Sequence, residues 1–257
     1  MSVGTLGPNE IRYCLKRDFA GSHARRGRFL RASLWFVVQA VFLMFGAVGV
    51  TAGTLLSETF GSYETGSCLS DGESVGPWAV VFNGYGCTQV TKVGSNKVLE
   101  LRPDASGHPL QTHSVLVLGP GYDQPFSFTG RLYTARQLRT GSAPNPWEVA
   151  WIVWNYRDNA LFYYFIPKTT GWELGKRDPA YPGGQRFLRT GSSPTFPLQR
   201  WHRFEIVQQT EDSFEVYVNG RLITRFTDDE RPYAAGRIGF YSEDADVYFD
   251  TITVTAP

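Results

Sequence analysis

The sequence has little net charge, few cysteines and few methionines, and these shortages exclude several classes of protein. Lys and Arg number 25 against 24 Asp and Glu, so the chain lacks the basic surplus typical of a nucleic-acid-binding domain. Three cysteines are too few for a disulfide-rich scaffold. The motifs of nucleotide-binding loops, serine-hydrolase elbows and zinc-protease helices are missing as well. Aromatic residues make up 15% of the chain, which is enough apolar surface to exclude disorder over most of its length.

Charge is distributed unevenly along the chain. Residues 1–31 form a basic tail with seven Lys or Arg and two Asp or Glu, and residues 32–57 carry no charged side chain. This length and apolarity predict a transmembrane helix at 32–57. Because arginines precede the run and acids follow it, we expect a single-pass protein of the inner (cytoplasmic) membrane, with a cytoplasmic N-terminus and a periplasmic C-terminal domain. Small residues at 50–52 leave a cleaved signal peptide as the alternative.

The apolar run has a glycine face and no ionisable side chain. Gly46, Gly49 and Gly53 follow one another at helical spacing, which would let another membrane helix approach closely. Glycine is also common in membrane helices that dock nothing, so this interpretation stays open. Without Asp, Glu, His, Lys or Arg, the run offers no proton relay or ion site. We therefore interpret it as an anchor that docks onto subunits of a membrane protein complex.

Two cysteines lie on the predicted outer side of the membrane. Cys68 and Cys87 are expected to form a disulfide, because disulfides persist outside the cytoplasm. The alternative is two unpaired, buried thiols. Residues 58–72 are rich in Gly, Ser and Thr and are interpreted as an extracytoplasmic stalk, with a folded domain at 73–257.

Short apolar runs alternate with turn signals from residue 79 to the end of the chain. About a dozen such runs, without a helical pattern between them, predict an all-β antiparallel sandwich or barrel. Asn219 and Gly220 give the strongest hairpin signal, because both residue types accept the left-handed backbone of a tight turn.

Two segments carry a resemblance to a known superfamily. The stretch WHRFEIV at 201–207, followed by FEVYVNG at 214–220, resembles the central hairpin of laminin-G-like domains, and GRIGFYSEDADVYFD at 236–250 resembles their closing strands. Residues from about 70 to 257 are similar to the concanavalin A-like lectin/glucanase superfamily. The resemblance implies a jelly-roll sandwich of two curved sheets, one of which offers a concave face to a ligand.

Enzymatic activity is not expected from this pattern. Glycosidases need two carboxylates beside the scissile bond, and in one branch of the superfamily these alternate along one strand. Glu148 is the best candidate, but Ala150 and Ile152 occupy the alternate positions that follow it. Glu173, on a neighbouring strand, is the remaining source of a second carboxylate. We therefore predict a protein without catalytic residues, and keep Glu148 only for a third, glycoside hydrolase hypothesis.

A binding role has two candidate sites. Aromatic rings beside polar groups are typical of sugar pockets, and the candidates for a ligand site are Glu148, Trp154, Tyr156, Tyr164, Trp172 and Arg136. Packing in the sandwich core is the alternative for the rings. The resemblance also implies a calcium site between the first and last strands, for which the acids are Asp71, Glu73, Asp246 and Asp250. A solvated acidic edge is the alternative for these acids.

These observations favour a non-enzymatic accessory subunit. We expect the membrane helix and the outer sandwich to dock onto a photosynthetic, respiratory or transport complex. The alternative is a calcium-dependent, lectin-like module that binds cell-envelope glycan. A structural calcium ion is the only cofactor expected, and nucleic acid is not expected as a partner.

Overall fold

The computed structural model describes residues 53–108 and 111–257. These residues form sixteen β-strands and one short 3₁₀ helix at Pro182–Gly184. The strands in chain order are β1 (Thr54–Glu58), β2 (Ser74–Val75), β3 (Trp78–Phe82), β4 (Cys87–Val93), β5 (Asn96–Arg102), β6 (Ser114–Tyr122), β7 (Phe126–Gln137), β8 (Ala150–Asp158), β9 (Leu161–Lys168), β10 (Gly171–Arg177), β11 (Gln185–Gly191), β12 (His202–Gln208), β13 (Ser213–Val218), β14 (Arg221–Thr227), β15 (Gly236–Glu243) and β16 (Ala245–Thr255).

The strands make two antiparallel sheets of eight strands each. Sheet A has the order β14-β13-β12-β7-β16-β5-β4, with β1 also paired to β16. Sheet B has the order β11-β10-β9-β8-β15-β6-β3-β2. The prediction of an all-β sandwich is therefore confirmed. The turn at Asn219 and Gly220 joins β13 to β14 with positive φ angles of 53° and 76°, as the sequence predicts.

The core lies between the inner faces of the two sheets. Trp78 and Phe240 of sheet B stack at 4.9 Å between ring centroids, and Phe240 stacks on Phe249 of sheet A at 4.0 Å. Phe128 and Phe204 of sheet A pack around them, and all five rings are fully buried. Burial of each such ring contributes about 1.5–3 kcal/mol to folding, so this cluster is the main force that holds the sheets together.

The sandwich begins earlier in the chain than the sequence suggests. Residues 54–57, expected at the end of a membrane helix, belong to β1, and residues 58–72, expected to form a stalk, fold against the sandwich. Glu58 accepts hydrogen bonds from the Phe60 amide and the Tyr63 hydroxyl, both at 2.7 Å, and Phe60 lies in the core. The stalk interpretation is wrong, because these two rings give the Gly- and Ser-rich segment apolar surface to bury.

The rest of the predicted membrane segment, residues 32–52, lies outside the described residues, as do the basic tail at 1–31 and the glycines Gly46 and Gly49. Gly53 is described, and its carbonyl accepts a hydrogen bond from the Ala256 amide at 2.8 Å. No helix in the described ranges has the length and apolar character that a membrane span needs.

Candidate functional site

The outer face of sheet B carries a second apolar cluster, separate from the core. Along β8, Ala150, Ile152 and Trp154 point into the core, while Trp151 and Val153 point to the outer face. Trp151 packs against Tyr164 of β9 and Tyr241 of β15, at 5.2 and 5.0 Å between ring centroids. A strand that is apolar on both faces normally has both faces covered. Here the outer face instead borders open cavities.

Two adjoining cavities cross this outer face, and together they are called the sheet-B groove. Their volumes are about 340 and 310 Å³, and both are lined by Trp151, Gln185 and Glu243. The first cavity is also lined by Phe82, Leu116, Asn159, Phe162, Tyr164, Arg177 and Tyr241. The second is also lined by Trp147, Ile166, Lys168, Glu173 and Phe187. A wall rich in aromatic rings, with a few converging polar groups, is typical of a small-molecule site.

Glu173 enters the groove from β10 with two hydrogen-bond donors beside it. Lys168 Nζ donates to one carboxylate oxygen at 2.9 Å, and the Tyr164 hydroxyl donates to the other at 3.0 Å. Gln185 Nε2 donates to the Tyr164 hydroxyl at 2.5 Å. Burial, followed by the charge of Glu173, raises the pKa of the Tyr164 phenol, so the phenol keeps its proton and remains a donor. Glu173 is therefore held between a cationic donor and a neutral donor.

Glu243 enters the groove from the end of β15 in different surroundings. Its Oε1 accepts a hydrogen bond from the Tyr241 hydroxyl at 2.7 Å. Burial raises the pKa of the Glu243 carboxyl, and the negative charges of Asp244 and Glu148 add to this effect. The Tyr241 hydrogen bond and the positive charge of Arg139 oppose it without cancelling it. Glu243 therefore keeps its proton to higher pH than an ordinary glutamate.

A buried ion-pair network fixes the chain next to Glu243. Arg139 donates from Nε to Glu148 at 2.5 Å and from Nη2 to Asp244 at 2.7 Å, and all three side chains are almost fully buried. Asp244 also accepts a hydrogen bond from the His113 amide at 3.1 Å and has a left-handed backbone, with φ of 42°. The network therefore holds the sharp turn between β15 and β16, which sets the position of Glu243.

Most of the ligand residues expected from the sequence lie elsewhere. Of the six, only Tyr164 lines the groove. Trp154 and Trp172 belong to the core cluster, and Tyr156 packs in the outer apolar cluster. Trp154, one of the predicted ligand residues, is buried in the core, whereas its neighbour Trp151 on the same strand lines the groove. Because β8 is buried on both faces, alternation could separate the two tryptophans but could not tell which face is inside.

The two polar candidates are engaged in other contacts. Arg136 pairs with Asp246 on sheet A at 3.2 Å. Glu148 is fully buried beside Arg139 and does not line the groove, so the structure removes it as a catalytic candidate. Sequence reasoning missed Glu243 and Tyr241, and named Glu173 only as an uncertain partner. The alternation of Tyr241 and Glu243 on one face of β15 was the signal that could have identified them.

The four acids expected to bind calcium do not meet. Asp71 accepts a hydrogen bond from Asn83 at 3.1 Å, and Glu73 accepts one from the Ser70 amide at 2.6 Å. On β16, Asp246 pairs with Arg136, and Asp250 accepts a hydrogen bond from Asn96 and lies 3.9 Å from Arg131. The described residues contain no group of three or more His, Cys, Asp or Glu suited to a metal. The calcium prediction is therefore corrected, because the four acids have separate partners and do not converge on one point.

Cys68 and Cys87 form a disulfide in the structure, with 5.1 Å between their Cα atoms. The bridge ties the loop before β2 to the first residue of β4. Leu69 pairs with Thr88 beside it. The disulfide thus anchors the segment between β1 and β2 to β4.

Solved structures with similar folds include a carbohydrate binding module and a domain of an arabinanase. A carbohydrate binding module, CBM66, from Bacillus subtilis is 14% identical over 70% of this chain and 96% of its own, with a TM-score of 0.51. Domain 4 of the arabinanase AbnA from Geobacillus stearothermophilus is 12% identical over 79% and 92% of the two chains, with a TM-score of 0.48. A Bacillus subtilis protein with a galectin-like fold is 14% identical over 75% and 97%, with a TM-score of 0.47.

At these identities the similarity concerns the fold alone. Of these three structures, the binding module has the highest TM-score. Together with the family match given below, it confirms the prediction of a concanavalin A-like superfamily member, a β-sandwich related to carbohydrate-binding and glycoside hydrolase domains. No curated protein is similar enough to this sequence to count as a match.

A family model described as a 3-keto-alpha-glucoside-1,2-lyase-like domain matches residues 117–255, more than half of the chain. The match includes the strands that contribute Glu173 and Glu243 to the groove. The expectation of a non-enzymatic chain is wrong, because the family is defined by a lyase-like domain. The expected role as an accessory subunit of a membrane complex has no support from fold or family. This chain belongs to the family of 3-keto-alpha-glucoside-1,2-lyase-like domains.

Proposed function

We propose that the sheet-B groove binds a glucoside with a ketone at C3 and eliminates the substituent on C1. The observation that carries this proposal is the pair of carboxylates in one cavity. Glu173 and Glu243 both line the second cavity in different environments: Glu173 accepts a hydrogen bond from Lys168 at 2.9 Å, whereas Glu243 accepts one from the Tyr241 hydroxyl and burial raises the pKa of its carboxyl. Pairs of titratable groups whose environments separate in this way are typical of acid–base catalysis. The family description supplies the substrate class and the bond.

Sugar recognition is supported by aromatic rings at the rim of the second cavity. Trp147 and Phe187 are 39% and 61% exposed, which is unusual for side chains of this size. Trp151 lies between the two cavities. The apolar face of a pyranose can stack on such rings, while Gln185 and Arg177 offer hydrogen bonds to its hydroxyl groups.

The elimination follows from the acidity of the hydrogen on C2, which is next to the C3 ketone. In our proposal the charged Glu173 carboxylate takes this proton, and the electron pair forms the double bond between C1 and C2 as the bond from C1 to the leaving oxygen breaks. The protonated Glu243 carboxyl gives its proton to that oxygen, so an alcohol leaves. The products are the unsaturated keto sugar and the alcohol, and no water is consumed.

Negative charge develops on the C3 oxygen as the proton leaves C2. Cations or hydrogen-bond donors aimed at such an oxygen stabilise the transition state. Lys168 lines the second cavity and Arg177 lines the first, so each cavity has one cation available for this oxygen. After the reaction Glu173 carries a proton and Glu243 carries a charge, and exchange with solvent restores both.

The direct test is turnover of methyl 3-keto-α-glucoside by the purified domain. The product is a conjugated ketone and can be followed by its ultraviolet absorbance. We expect Glu243→Gln and Glu173→Gln to lower kcat by about 10²–10⁴-fold each, as for the loss of a general acid or base. The matched control is Glu211→Gln, an exposed glutamate after β12 on sheet A, which should keep full activity. Equal activity in all three variants would contradict the proposal.

A second candidate is carbohydrate binding without turnover, which the exposed rings of the groove favour. Calorimetric titration with α-glucosides separates the two, because a binding module would hold unoxidised and oxidised sugars without changing either. We expect binding to be insensitive to chelator, since the acids once considered for calcium are paired with Arg136, Arg131, Asn83 and a backbone amide.

We also propose that the domain is held outside the cytoplasm by the apolar run at 32–57, whose last four residues belong to β1. The arginines before this run and the disulfide between Cys68 and Cys87 support this location. In intact spheroplasts, added protease should digest the sandwich and leave the basic tail protected. Protection of the sandwich instead would contradict this location without affecting the proposed chemistry.

A further inference from the structure

A third cavity of about 610 Å³ lies beside the sheet-B groove and is larger than either part of it. It is lined by the disulfide loop, the turn between β3 and β4, and the start of β6, and its wall includes Asp71, Phe82, Asn83, Tyr85, His113 and Ser114. We call it the Tyr85 cavity. None of the chemistry proposed above uses it.

An exposed aromatic ring forms one wall of the Tyr85 cavity. Tyr85 is 87% exposed, the highest value among the large exposed apolar side chains of the described residues. Its ring meets the ring of His113 edge-on, at 5.1 Å between centroids. A tyrosine normally buries most of its ring, so a ring presented to solvent beside a cavity is available for stacking.

The backbone at Tyr85 has an unfavourable conformation. Tyr85 has a φ of 65°, a left-handed conformation that is unfavourable for a bulky residue. Gly84 before it packs so closely on the Ser114 backbone that a Cβ atom would come within 2.4 Å of the Ser114 carbonyl oxygen. The Gly86 amide closes the turn by donating to the Asn83 carbonyl at 3.0 Å. The turn therefore has a closely constrained backbone, from which the Tyr85 side chain extends to line the cavity.

Polar groups line the same cavity. Asp71 accepts a hydrogen bond from Asn83 on Oδ1, and its side chain is otherwise exposed. Asn83 Nδ2 also donates to the Leu69 carbonyl at 2.7 Å, which fixes the amide between the two. His113 Nδ1 lies 3.1 Å from the Asp104 carbonyl, so Nδ1 carries the hydrogen and Nε2 is left to accept one. Carboxylate and imidazole acceptors beside a ring suit the hydroxyl groups of a sugar.

The Tyr85 cavity adjoins Glu243. Ser114, which lines the cavity, is the residue directly opposite Glu243 in the pairing of β6 with β15. Phe82 lines both the Tyr85 cavity and the first cavity of the groove. Residues opposite each other in antiparallel strands have Cα atoms about 4.5–5.5 Å apart. A ligand that reaches past Glu243 therefore enters the Tyr85 cavity.

We propose that the Tyr85 cavity is a second carbohydrate subsite, which holds the sugar unit released from C1. In this arrangement the unit stacks on Tyr85 and bonds to Asp71 and His113, while the sheet-B groove holds the other unit of the substrate. The substrate class is then an α-glucosyl disaccharide or a longer saccharide. The position of the leaving unit rests on the proposed elimination, but the binding of a sugar in the cavity does not.

The test compares Tyr85→Asn with Phe187→Ala. Asparagine accepts the left-handed backbone of residue 85, so this variant removes the ring and keeps the turn. With 3-keto-maltose we expect kcat/KM to fall about tenfold in Tyr85→Asn, the usual size for loss of a buried aromatic contact. With methyl 3-keto-α-glucoside, which has no second sugar unit, Tyr85→Asn should match the wild type, whereas Phe187→Ala should lower kcat/KM for both substrates. An equal effect of Tyr85→Asn on both substrates overturns the subsite.

Calorimetric titration of maltose supplies a readout that does not need turnover. We expect the maltose Kd to rise about tenfold in Tyr85→Asn and also to rise in Asp71→Ala. If no keto sugar is turned over but maltose binding depends on Tyr85, the elimination is wrong and the subsite stands. If Tyr85→Asn binds maltose as the wild type does, or the wild type binds no maltose, the subsite is wrong whatever the outcome for turnover.

Discussion

Carboxylates on the outer faces of the two sheets have different surroundings. On sheet A, Glu215 pairs with Arg225 and Asp250 lies 3.9 Å from Arg131. The hydrogen bonds from Tyr217 and Arg225 lower the pKa of Glu215. On sheet B, Glu243 accepts its hydrogen bond from the neutral Tyr241 hydroxyl, and burial raises the pKa of its carboxyl.

The difference shows what turns a surface glutamate into a candidate acid. Both side chains accept a short tyrosine hydrogen bond, so this bond does not distinguish them. The direct arginine partner of Glu215 does. A direct arginine partner favours the charged form, whereas burial in a groove without one favours the protonated form. We therefore expect substitutions of Glu243 and Glu215 to have different effects.

The largest expected difference is in catalysis. Glu243→Gln should lower the turnover of a 3-keto-α-glucoside by about 10²–10⁴-fold, because the leaving oxygen loses its proton donor. Glu215→Gln should leave turnover unchanged, since Glu215 lies on the other sheet. Steady-state kinetics on both variants tests this, and a comparable loss in Glu215→Gln would remove the distinction between the sheets.

The two faces of β8 should differ in stability. Trp154→Ala should lower the free energy of unfolding by about 3–5 kcal/mol, because it empties the packed core between the sheets. Trp151→Ala should cost less, since its ring borders cavities, and should mainly weaken sugar binding. Urea unfolding and calorimetric titration measure the two effects. Equal destabilisation with unchanged sugar binding would contradict the assignment of the faces.

Removal of the disulfide should have an effect of intermediate size. The bridge closes a sequence separation of 19 residues, so replacing both Cys68 and Cys87 by Ser should lower the free energy of unfolding by about 3 kcal/mol on the chain-entropy model. Thermal unfolding with and without reductant measures this for the wild type. Because Cys68 lines the Tyr85 cavity, sugar binding there should weaken more than sugar binding in the sheet-B groove. A double variant as stable as the wild type would contradict a structural role for the bridge.

The smallest expected difference is in the pH dependence of stability. The pKa of Glu243 is raised by folding, so its contribution to stability is fully present below the unfolded pKa of about 4.3 and is lost as pH rises through the folded pKa. The pKa of Glu215 is lowered, so its contribution is present above the unfolded pKa and is lost as pH falls through the folded one.

Melting temperatures between pH 3 and pH 8 can separate these contributions. In Glu243→Gln, the melting temperature should fall less steeply than in the wild type as pH rises above about 4. In Glu215→Gln, it should fall less steeply than in the wild type as pH drops below about 4. The same slope for both variants would mean that the two carboxyls titrate alike.

Much of the fold could be predicted from the sequence, because alternation and turn residues act locally. The hairpin at Asn219 and Gly220 and most central strands lie where the pattern places them. The strands that were missed are β1, β2, β4 and β11. Of these, β1 follows directly on a longer apolar run, β2 has only two residues, and β11 is an exposed edge strand with little alternation.

The site was harder to predict, because it depends on which face of a strand is covered. Alternation separates Trp151 from Trp154, but only the three-dimensional packing shows which of them faces the core. Glu243 lies in an acidic stretch that resembled a calcium edge, and its surroundings depend on β6 and β8, the strands paired with β15. Pairings of this kind join residues far apart in sequence, so alternation can place Tyr241 and Glu243 on one face of β15 but cannot show what that face borders.

The most direct measurement of the proposed chemistry uses methyl 3-keto-α-glucoside that carries deuterium on C2. Elimination breaks the bond from C2 to this deuterium, so the wild-type rate should fall relative to the unlabelled substrate, and the deuterium should be lost to water as methanol is released. Glu243→Gln should bind the same sugar but release no methanol on this time scale. Release of methanol at an unchanged rate, with deuterium retained on C2, would contradict elimination in the sheet-B groove.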